Sequence, residues 1–179
     1  EVYFSYVVEL LGTAGGVKKV VKESRFHSPF IVWHGDNLST CDVQRMMSYH
    51  RAHRATATIA VCWRPDVAAS GVMEWDSGNR VTCFDERSRS RVVPGGWVNA
   101  GIYILEPEVV DRIGDGFEDF GYTTFPQMLL NGADVRAYVL SDGELFRWYD
   151  TAKELAQLRE DFKEGGEGHG KLEKSILGR

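Results

Sequence analysis

Short apolar segments of strand type alternate along this chain with segments of helical periodicity, and that order limits the folds open to it. Strands are predicted at residues 2–8, 30–33, 57–63, 97–105, 135–140 and 146–149, and helices at residues 16–22, 42–54, 122–130 and 151–162. Such alternation is typical of α/β proteins whose sheet is mostly parallel. A hairpin predicted over residues 71–84 adds an antiparallel pair. We therefore predict a mixed, mostly parallel sheet flanked by helices.

Length and charge narrow the class of protein further. The 179 residues predict one domain, placed at residues 1–162, followed by a flexible tail rich in Gly and Glu at residues 163–179. The formal net charge of −5 argues against a nucleic-acid partner. No apolar run approaches the roughly 20 residues of a membrane span, so we expect no membrane partner. Cys41, Cys62 and Cys83 form no CxxC pair, which favours a reducing, cytoplasmic location.

Two aspartates follow predicted strands directly. Asp36 comes after residues 30–33 and Asp150 after residues 146–149. Ligands of α/β proteins collect at the carboxyl ends of strands, where carboxylates can hold Mg²⁺ together with phosphate oxygens. The alternatives are an Asx turn at Asp36 and a helix N-cap at Asp150.

A glycine-rich segment and an unusual strand carry further candidates. Residues 11–16, LGTAGG, precede a predicted helix, and glycines there let a ligand approach outward-pointing backbone N–H groups, although a plain loop has the same composition. Asn99 lies in an otherwise apolar strand. With the gap left by Gly101 it can face a polar ligand, or it can mark a bulge with local bonding.

The remaining candidate site residues have charged or imidazole side chains. Glu86 and Arg87 follow a strand and can bind hydroxyls and a phosphate, or form a surface ion pair. His50 and His53 have HxxH spacing on a helix, but without a third ligand nearby we expect a solvated or packed helix face rather than a metal site. His34 is expected to be a loop contact.

Several segments together resemble the sugar-1-phosphate nucleotidyltransferases, and the mannose-1-phosphate guanylyltransferase-like members in particular. In order along the chain they are LGTAGG at residues 11–16, PFIV at 29–32, GDN at 35–37, VNAGIY at 98–103, DFG at 119–121 and FP at 125–126. The resemblance implies a Rossmann-like fold of the nucleotide-diphospho-sugar transferase type. It also implies Mg²⁺-dependent nucleotidyl transfer from an NTP to a sugar 1-phosphate, which gives an NDP-sugar and pyrophosphate.

The resemblance assigns roles to individual residues. It implies that Asp36 and Asp150 bind the metal and act in catalysis together with Arg87. The nucleotide would be bound by Gly12, Thr13, Ala14 and Gly35, and the sugar by Gly71, Glu86, Asn99 and Gly101.

The chain also departs from the family pattern. The family's opening strands and GxGTRLxP loop have no counterpart, so we expect a fold that lacks its first strands and a chain that is part of a longer protein. The chain begins with Glu1 rather than Met, which fits that expectation. Where the family has EKP, this chain has Glu86 followed by Arg87 and Ser88. The Gly-Thr that usually follows the second aspartate is also replaced, at Thr151.

These departures leave alternatives open. One is a non-catalytic truncated homologue that binds a sugar nucleotide or acts as a regulatory subunit. Another is a nucleotide-sugar-dependent glycosyltransferase, which is disfavoured because GDN at residues 35–37 is not a DxD motif. GTP with mannose 1-phosphate is our first expectation for the substrates. An unpaired sheet edge expected near residues 2–8 predicts a homo-oligomer or edge-to-edge pairing.

Overall fold

A computed structural model describes residues 2–67, 71–86, 95–149 and 151–163. The α-helices are α1 (Gly12–Ser24), α2 (Val43–His53), α3 (Phe125–Leu130) and α4 (Ala152–Asp161). The strands are β1 (Phe30–Trp33), β2 (Asn37–Ser39), β3 (Ala57–Arg64), β4 (Val72–Trp75), β5 (Val81–Asp85), β6 (Gly96–Leu105), β7 (Val135–Val139) and β8 (Phe146–Trp148). A 3₁₀-helix, Pro107–Arg112, follows β6, and a π-helical turn, Phe120–Thr124, leads into α3.

The longest strand, β6, organises the main sheet. β3 pairs along one edge of β6, while β1 pairs with the second half of its other edge and β4 with the first half. β5 extends the sheet beyond β4, and β7 extends it beyond β3. β2 and β8 form a separate two-stranded sheet.

The mixed α/β architecture is confirmed, but the expectation of a mostly parallel sheet is wrong. Among the pairings of the described strands, β3 with β7 is parallel and the others are antiparallel. β1 and β3 do point the same way, as alternation with helices predicts, because both run antiparallel to β6. The order of elements along the chain does not reveal that β6 lies between them.

The strand predicted at residues 2–8 does not form. These residues have no strand structure, and Val8 and Leu10 are almost fully exposed. A strand needs a neighbour for its backbone hydrogen bonds, and none of the described strands lies beside this segment. The open edge of the sheet lies at β1 instead, where Ile31 and Trp33 are exposed and the outer edge pairs with no strand in the described ranges.

Each face of the sheet has its own apolar core. On one face Tyr103 of β6 packs with Phe120 and Phe125 of the π-helical turn and α3. On the other face α2 inserts Met46 against β6. Asp42 caps α2 as predicted, because its carboxylate accepts a hydrogen bond from the backbone of the third helical residue at 2.9 Å. None of the helices in the described ranges is long and apolar enough to cross a membrane.

Candidate active site

A crevice forms where β1 and β4 separate along the same edge of β6, next to residues 99–101. Gly101 has a φ of +64°, and a Cβ there would lie 2.3 Å from Nδ2 of Asn37, so this position requires glycine. The His34 backbone N–H donates to the Gly101 carbonyl at 2.9 Å, and Nδ2 of Asn37 donates to the Ala100 carbonyl at 2.8 Å. The turn after β1 is therefore fixed on β6.

Asn99 is bonded within its own strand. Its Nδ2 donates to the Tyr103 hydroxyl at 2.8 Å, and its Oδ1 accepts from the Gly101 N–H at 2.9 Å. Its backbone N–H donates to the Gly71 carbonyl at 3.1 Å and so links β6 to the start of β4. This is the local bonding that the bulge interpretation predicts, and the pairing with β3 shifts register here. The role of Asn99 in sugar binding stays a prediction.

Asp36 lies exposed in the turn after β1. The Tyr149 backbone N–H donates to the Asp36 carbonyl at 3.1 Å, and the Tyr149 hydroxyl donates to the Gly35 carbonyl at 3.0 Å. The end of β8 is thereby held against this turn. Asp150 is the next residue along the chain, but it lies outside the described residues, as Arg87 does. Their predicted roles therefore stay predictions.

The side chain of Asp36 suits a hard cation. No hydrogen bond from the described residues reaches its carboxylate, which argues against the Asx-turn alternative. Within the described ranges no group of three or more His, Cys, Asp or Glu side chains could hold a metal ion. Mg²⁺, however, is commonly bound by one or two carboxylates with the remaining ligands from water and phosphate. An exposed carboxylate at a strand end meets that requirement.

Glu86 presents a buried carboxyl to the crevice. Its Oε2 has no hydrogen-bond partner among the described residues. A Cβ at Gly71 would lie 2.0 Å from this oxygen, and a Cβ at Gly121 would lie 2.6 Å from it, so the carboxyl fits only between two glycines. Burial, together with the charges of Asp119 and Asp85, raises the pKa of Glu86 to about 7. An unpaired buried carboxyl of this kind is typical of a ligand site.

Tyr103, which no sequence pattern singled out as a site residue, lies beneath this crevice, where its hydroxyl accepts a hydrogen bond from Asn99. It is fully buried, burial raises the pKa of its phenol, and the charges of Glu86, Asp119 and Asp36 all act on it. His34 was expected to be a loop contact, yet its ring packs edge-on against Tyr103 at 5.3 Å. The buried Nε2 of His34 has no partner among the described residues, and burial lowers the pKa of His34. An isolated tyrosine hydroxyl in an apolar strand was the available signal.

The glycine-rich segment is the first turn of α1, which begins at Gly12 rather than at the predicted residue 16. The backbone N–H groups of Ala14 and Gly15 donate to the Glu118 carbonyl at 3.0 and 3.2 Å, so these amides do not point outward as expected. Gly12 has a φ of +71°, and a Cβ there would lie 2.3 Å from the Glu118 carbonyl oxygen. Thr13 is exposed beside this contact.

An apolar groove of about 500 Å³ runs between α1 and β1. Thr13, His34, Gly35 and Asp36 contribute its polar lining. The groove thus joins the glycine-rich turn to the turn that carries Asp36, which are the two segments expected to bind the nucleotide.

The remaining histidine and cysteine candidates lie outside the crevice. Nδ1 of His50 is 2.8 Å from the Thr58 hydroxyl and Nε2 is 3.3 Å from a Glu106 carboxylate oxygen, which agrees with the packed-helix interpretation. Burial raises the pKa of the Cys41 thiol to about 12 and of the Cys62 thiol to about 11. No disulfide joins the three cysteines, which all lie in the described ranges.

Comparison with known proteins agrees with this geometry. The nucleotidyl transferase family matches residues 2–161. The chain is 31% identical over 156 residues to a mannose-1-phosphate guanylyltransferase of Mycobacterium tuberculosis, covering 87% of this chain and 42% of that protein. It is 34% identical over 151 residues to a UTP–glucose-1-phosphate uridylyltransferase of Synechocystis, covering 82% and 38% respectively. The chain thus spans about two fifths of the length of these relatives.

A solved structure shares the fold. HddC from Yersinia pseudotuberculosis, crystallised with GMP-PN, superposes with a TM-score of 0.73 at 22% sequence identity. The match covers 89% of this chain and 66% of that one. The family match over most of the chain, together with relatives of both guanylyl and uridylyl type, leads to one conclusion. The chain belongs to the nucleotidyl transferase family, in its sugar-1-phosphate group.

Proposed function

We propose that this chain forms part of an enzyme that transfers a nucleotidyl group from an NTP to a sugar 1-phosphate with Mg²⁺. The observation that carries the proposal is a pair of carboxylates beside β6: Asp36, in the turn that is bonded to Gly101, and Glu86, whose buried Oε2 lies between Gly71 and Gly121. One carboxylate is exposed and suits a cation, and another is buried, unpaired and suits sugar hydroxyls. A phosphorylated sugar presents both kinds of group.

The reaction needs positioning rather than a protein nucleophile. A phosphate oxygen of the sugar 1-phosphate attacks the α-phosphorus of the NTP in line. The new P–O bond forms as the bond to the bridging oxygen breaks, and pyrophosphate leaves with that electron pair. When bound, Mg²⁺ neutralises charge on the phosphate oxygens, and Asp36 would hold it together with Asp150. Glu86 would orient the sugar by accepting hydrogen bonds from its hydroxyls, and Arg87 would lie near its phosphate.

The nucleotide would lie along the glycine-rich turn. Gly12, Thr13 and Ala14 would line the base, and Gly35 would let it approach the turn that carries Asp36. Gly71, Asn99 and Gly101 would line the part of the site that binds the sugar. GTP with mannose 1-phosphate remains our first expectation for the substrates, because guanylyl relatives are among the proteins that this chain resembles. A cytoplasmic location is proposed because no disulfide joins the three cysteines, which all lie in the described ranges.

The test is an assay of the complete polypeptide that contains this chain. Each NTP would be combined with glucose, mannose and heptose 1-phosphates in the presence of Mg²⁺, and pyrophosphate and NDP-sugar would be measured together. Equimolar formation of both products is the expected result. Transfer or hydrolysis from an NDP-sugar without pyrophosphate would indicate a glycosyltransferase. Binding of a sugar nucleotide without turnover would indicate a regulatory homologue.

We also propose that the outer edge of β1 pairs with another strand. The backbone groups of this edge meet no strand in the described part of the chain, and Ile31, Trp33 and Phe26 are exposed beside it. The 179-residue chain should therefore self-associate in light scattering, and Ile31→Lys should reduce that association. Leu130→Lys, at an exposed apolar position on α3, is the matched control. A monodisperse monomer that unfolds cooperatively would contradict the proposal.

A further inference from the structure

One short segment, residues 118–121, joins the two sides of the crevice. At its start Glu118 is bonded to the glycine-rich turn in both directions. Its carbonyl accepts from the Ala14 and Gly15 N–H groups, and its own N–H donates to the Leu11 carbonyl at 2.8 Å. Three backbone hydrogen bonds therefore fix the nucleotide side of the site to this segment.

The two carboxylate oxygens of Asp119 have hydrogen-bond partners on different sides of the crevice. Oδ2 accepts a hydrogen bond from the Thr13 hydroxyl at 2.8 Å. Oδ1 accepts from the backbone N–H groups of Gly121 at 2.9 Å and Tyr122 at 3.2 Å, which open the π-helical turn. The Thr13 hydroxyl in turn accepts from the Phe120 N–H at 3.0 Å. Thr13 and Asp119 thus form one connected network.

The π-helical turn leads directly to the sugar side. Gly121 is the residue against which the Glu86 carboxyl packs, since a Cβ there would lie 2.6 Å from Oε2 and 2.7 Å from the carboxyl carbon. Single π-helical turns are uncommon and occur frequently at functional sites. A shift of the Gly121 backbone would move or release the Glu86 carboxyl. Asp119 therefore controls the surface on which the proposed sugar ligand is positioned.

From these contacts we infer that Asp119 is a positioning residue that makes binding of the nucleotide and of the sugar 1-phosphate mutually dependent. A ligand that orders Thr13 also orders the Asp119 carboxylate, the π-helical turn and the Gly121 backbone beneath Glu86. Each ligand then binds a protein that the other has already ordered, and such coupling must be reciprocal. The inference rests on the proposed function and adds a coupling between its two subsites.

The test uses the complete polypeptide and the NTP and sugar 1-phosphate that react in the assay proposed above. The NTP is replaced by its analogue with a methylene group between the α- and β-phosphorus, so that no transfer occurs. Calorimetry gives the Kd of the sugar 1-phosphate with and without a saturating concentration of the analogue and Mg²⁺. The ratio of the two values is the coupling factor. We expect roughly 5- to 150-fold in the wild type.

Thr13→Val removes the hydroxyl without changing the size of the side chain, and should reduce the coupling factor at least fivefold. Thr13→Ser keeps the hydroxyl and should restore the wild-type factor. Asp119→Asn is a second variant that keeps an oxygen for the π-helical turn but lacks the second acceptor, and it should lower the factor in the same way. Thr58→Val removes a buried hydroxyl on the opposite face of the sheet and should leave the factor unchanged.

The outcomes separate this inference from the proposed function. If no NTP and sugar 1-phosphate react, the proposed function fails and this inference fails with it. If the pair reacts but the wild-type coupling factor is one, only the inference is overturned. It is also overturned if Thr13→Val weakens both ligands alone yet keeps the wild-type factor, because Thr13 would then have a structural role only.

Discussion

The two faces of the main sheet both bury titratable side chains, but they treat them differently. On the face covered by α2, His50 is fully buried and both ring nitrogens have partners, in Thr58 and Glu106. On the opposite face, Oε2 of Glu86 and Nε2 of His34 are buried without partners in the described part of the chain. Proteins rarely leave buried polar atoms unpaired unless a ligand completes them. We call the face that carries Glu86 and His34 the ligand-binding face; Nε of Arg64, which lies over Trp148 on the α2 side, is also buried without a partner in the described part of the chain.

The same contrast extends to glycine. On the ligand-binding face Gly71 and Gly121 leave room for the carboxyl of Glu86, and Gly101 lets the Asp36 turn approach β6. Both faces pack apolar side chains, such as Met46 against β6 on the α2 face, but the glycines that contact the Glu86 carboxyl lie on the other face. Small residues therefore occur where the fold brings polar groups together, and the substitutions below should affect the two faces in different ways.

The largest expected effect is on catalysis and comes from Asp36→Asn. Loss of the exposed carboxylate removes a proposed metal ligand while the turn keeps its backbone bonds to Tyr149. Turnover should fall about a thousandfold, equivalent to about 4 kcal/mol in the activation free energy. Initial rates across a Mg²⁺ titration measure it. Asp142→Asn, at an exposed loop position, is the matched control, and unchanged turnover at limiting Mg²⁺ would contradict the assignment.

The largest expected effect on stability lies on the other face. Thr58→Val leaves Nδ1 of His50 buried without its partner, and a buried unpaired polar group costs about 1–3 kcal/mol. The unfolding free energy, measured by urea denaturation, should fall by that amount. The KM values should not change, because α2 lies away from the crevice. Thr82→Val, at an exposed position of β5, compares loss of a surface hydroxyl. A raised KM in Thr58→Val would contradict the proposal that the α2 face has no part in substrate binding.

Glu86→Gln should change the KM and leave the stability intact, which is the reverse of the effect expected for Thr58→Val. The amide keeps the size of the side chain but loses the charge that sugar hydroxyls would bind. The KM for the sugar 1-phosphate should rise about tenfold, equivalent to about 1.4 kcal/mol. Thermal stability should stay equal or rise, since no charge is then buried. Glu108→Gln, at an exposed position of the 3₁₀-helix, is the control. Loss of stability without a change in KM would place Glu86 among the structural residues.

Local sequence patterns predicted the elements and much of the site. The cap of α2 at Asp42 was predicted correctly because capping depends on residues three positions apart. The β4–β5 hairpin followed from its turn residues for the same reason. The position of β6 between β1 and β3 depends instead on pairing of segments far apart in the chain. No local pattern contains that information, so the parallel sheet was predicted wrongly.

The overlooked site residues have a similar explanation. Tyr103 lies in an apolar strand and has the pattern of a core residue, and its role follows only from the approach of Asn99 and His34. Asp119 was predicted only as part of the DFG motif. Its carboxylate accepts a hydrogen bond from Thr13, which lies 106 residues away in the sequence, and no local pattern predicts that contact. Residue type suggested the chemistry, whereas tertiary packing determined which groups act together.

The smallest expected effect is a pH dependence that has one sign for Glu86 and the opposite sign for the buried histidines His50 and His34. Burial raises the pKa of Glu86 from 4.5 to about 7, so the folded protein holds this proton more firmly than the unfolded chain. The contribution of Glu86 to stability is present below pH 4.5 and is lost as the pH rises to about 7. Burial lowers the pKa of His50 below 6.5, so its contribution is lost as the pH falls below that value.

The titration of Glu86 can be measured through the pH dependence of ligand binding. Ionised Glu86 accepts hydrogen bonds from both oxygens, so the affinity for the sugar 1-phosphate should rise roughly tenfold between pH 6 and pH 8. The sugar phosphate itself titrates near pH 6, which adds its own slope. Glu86→Gln keeps the phosphate titration and removes that of the carboxyl, so the difference between the two pH profiles belongs to Glu86. Profiles that run parallel would show that the unpaired oxygen does not contact the sugar.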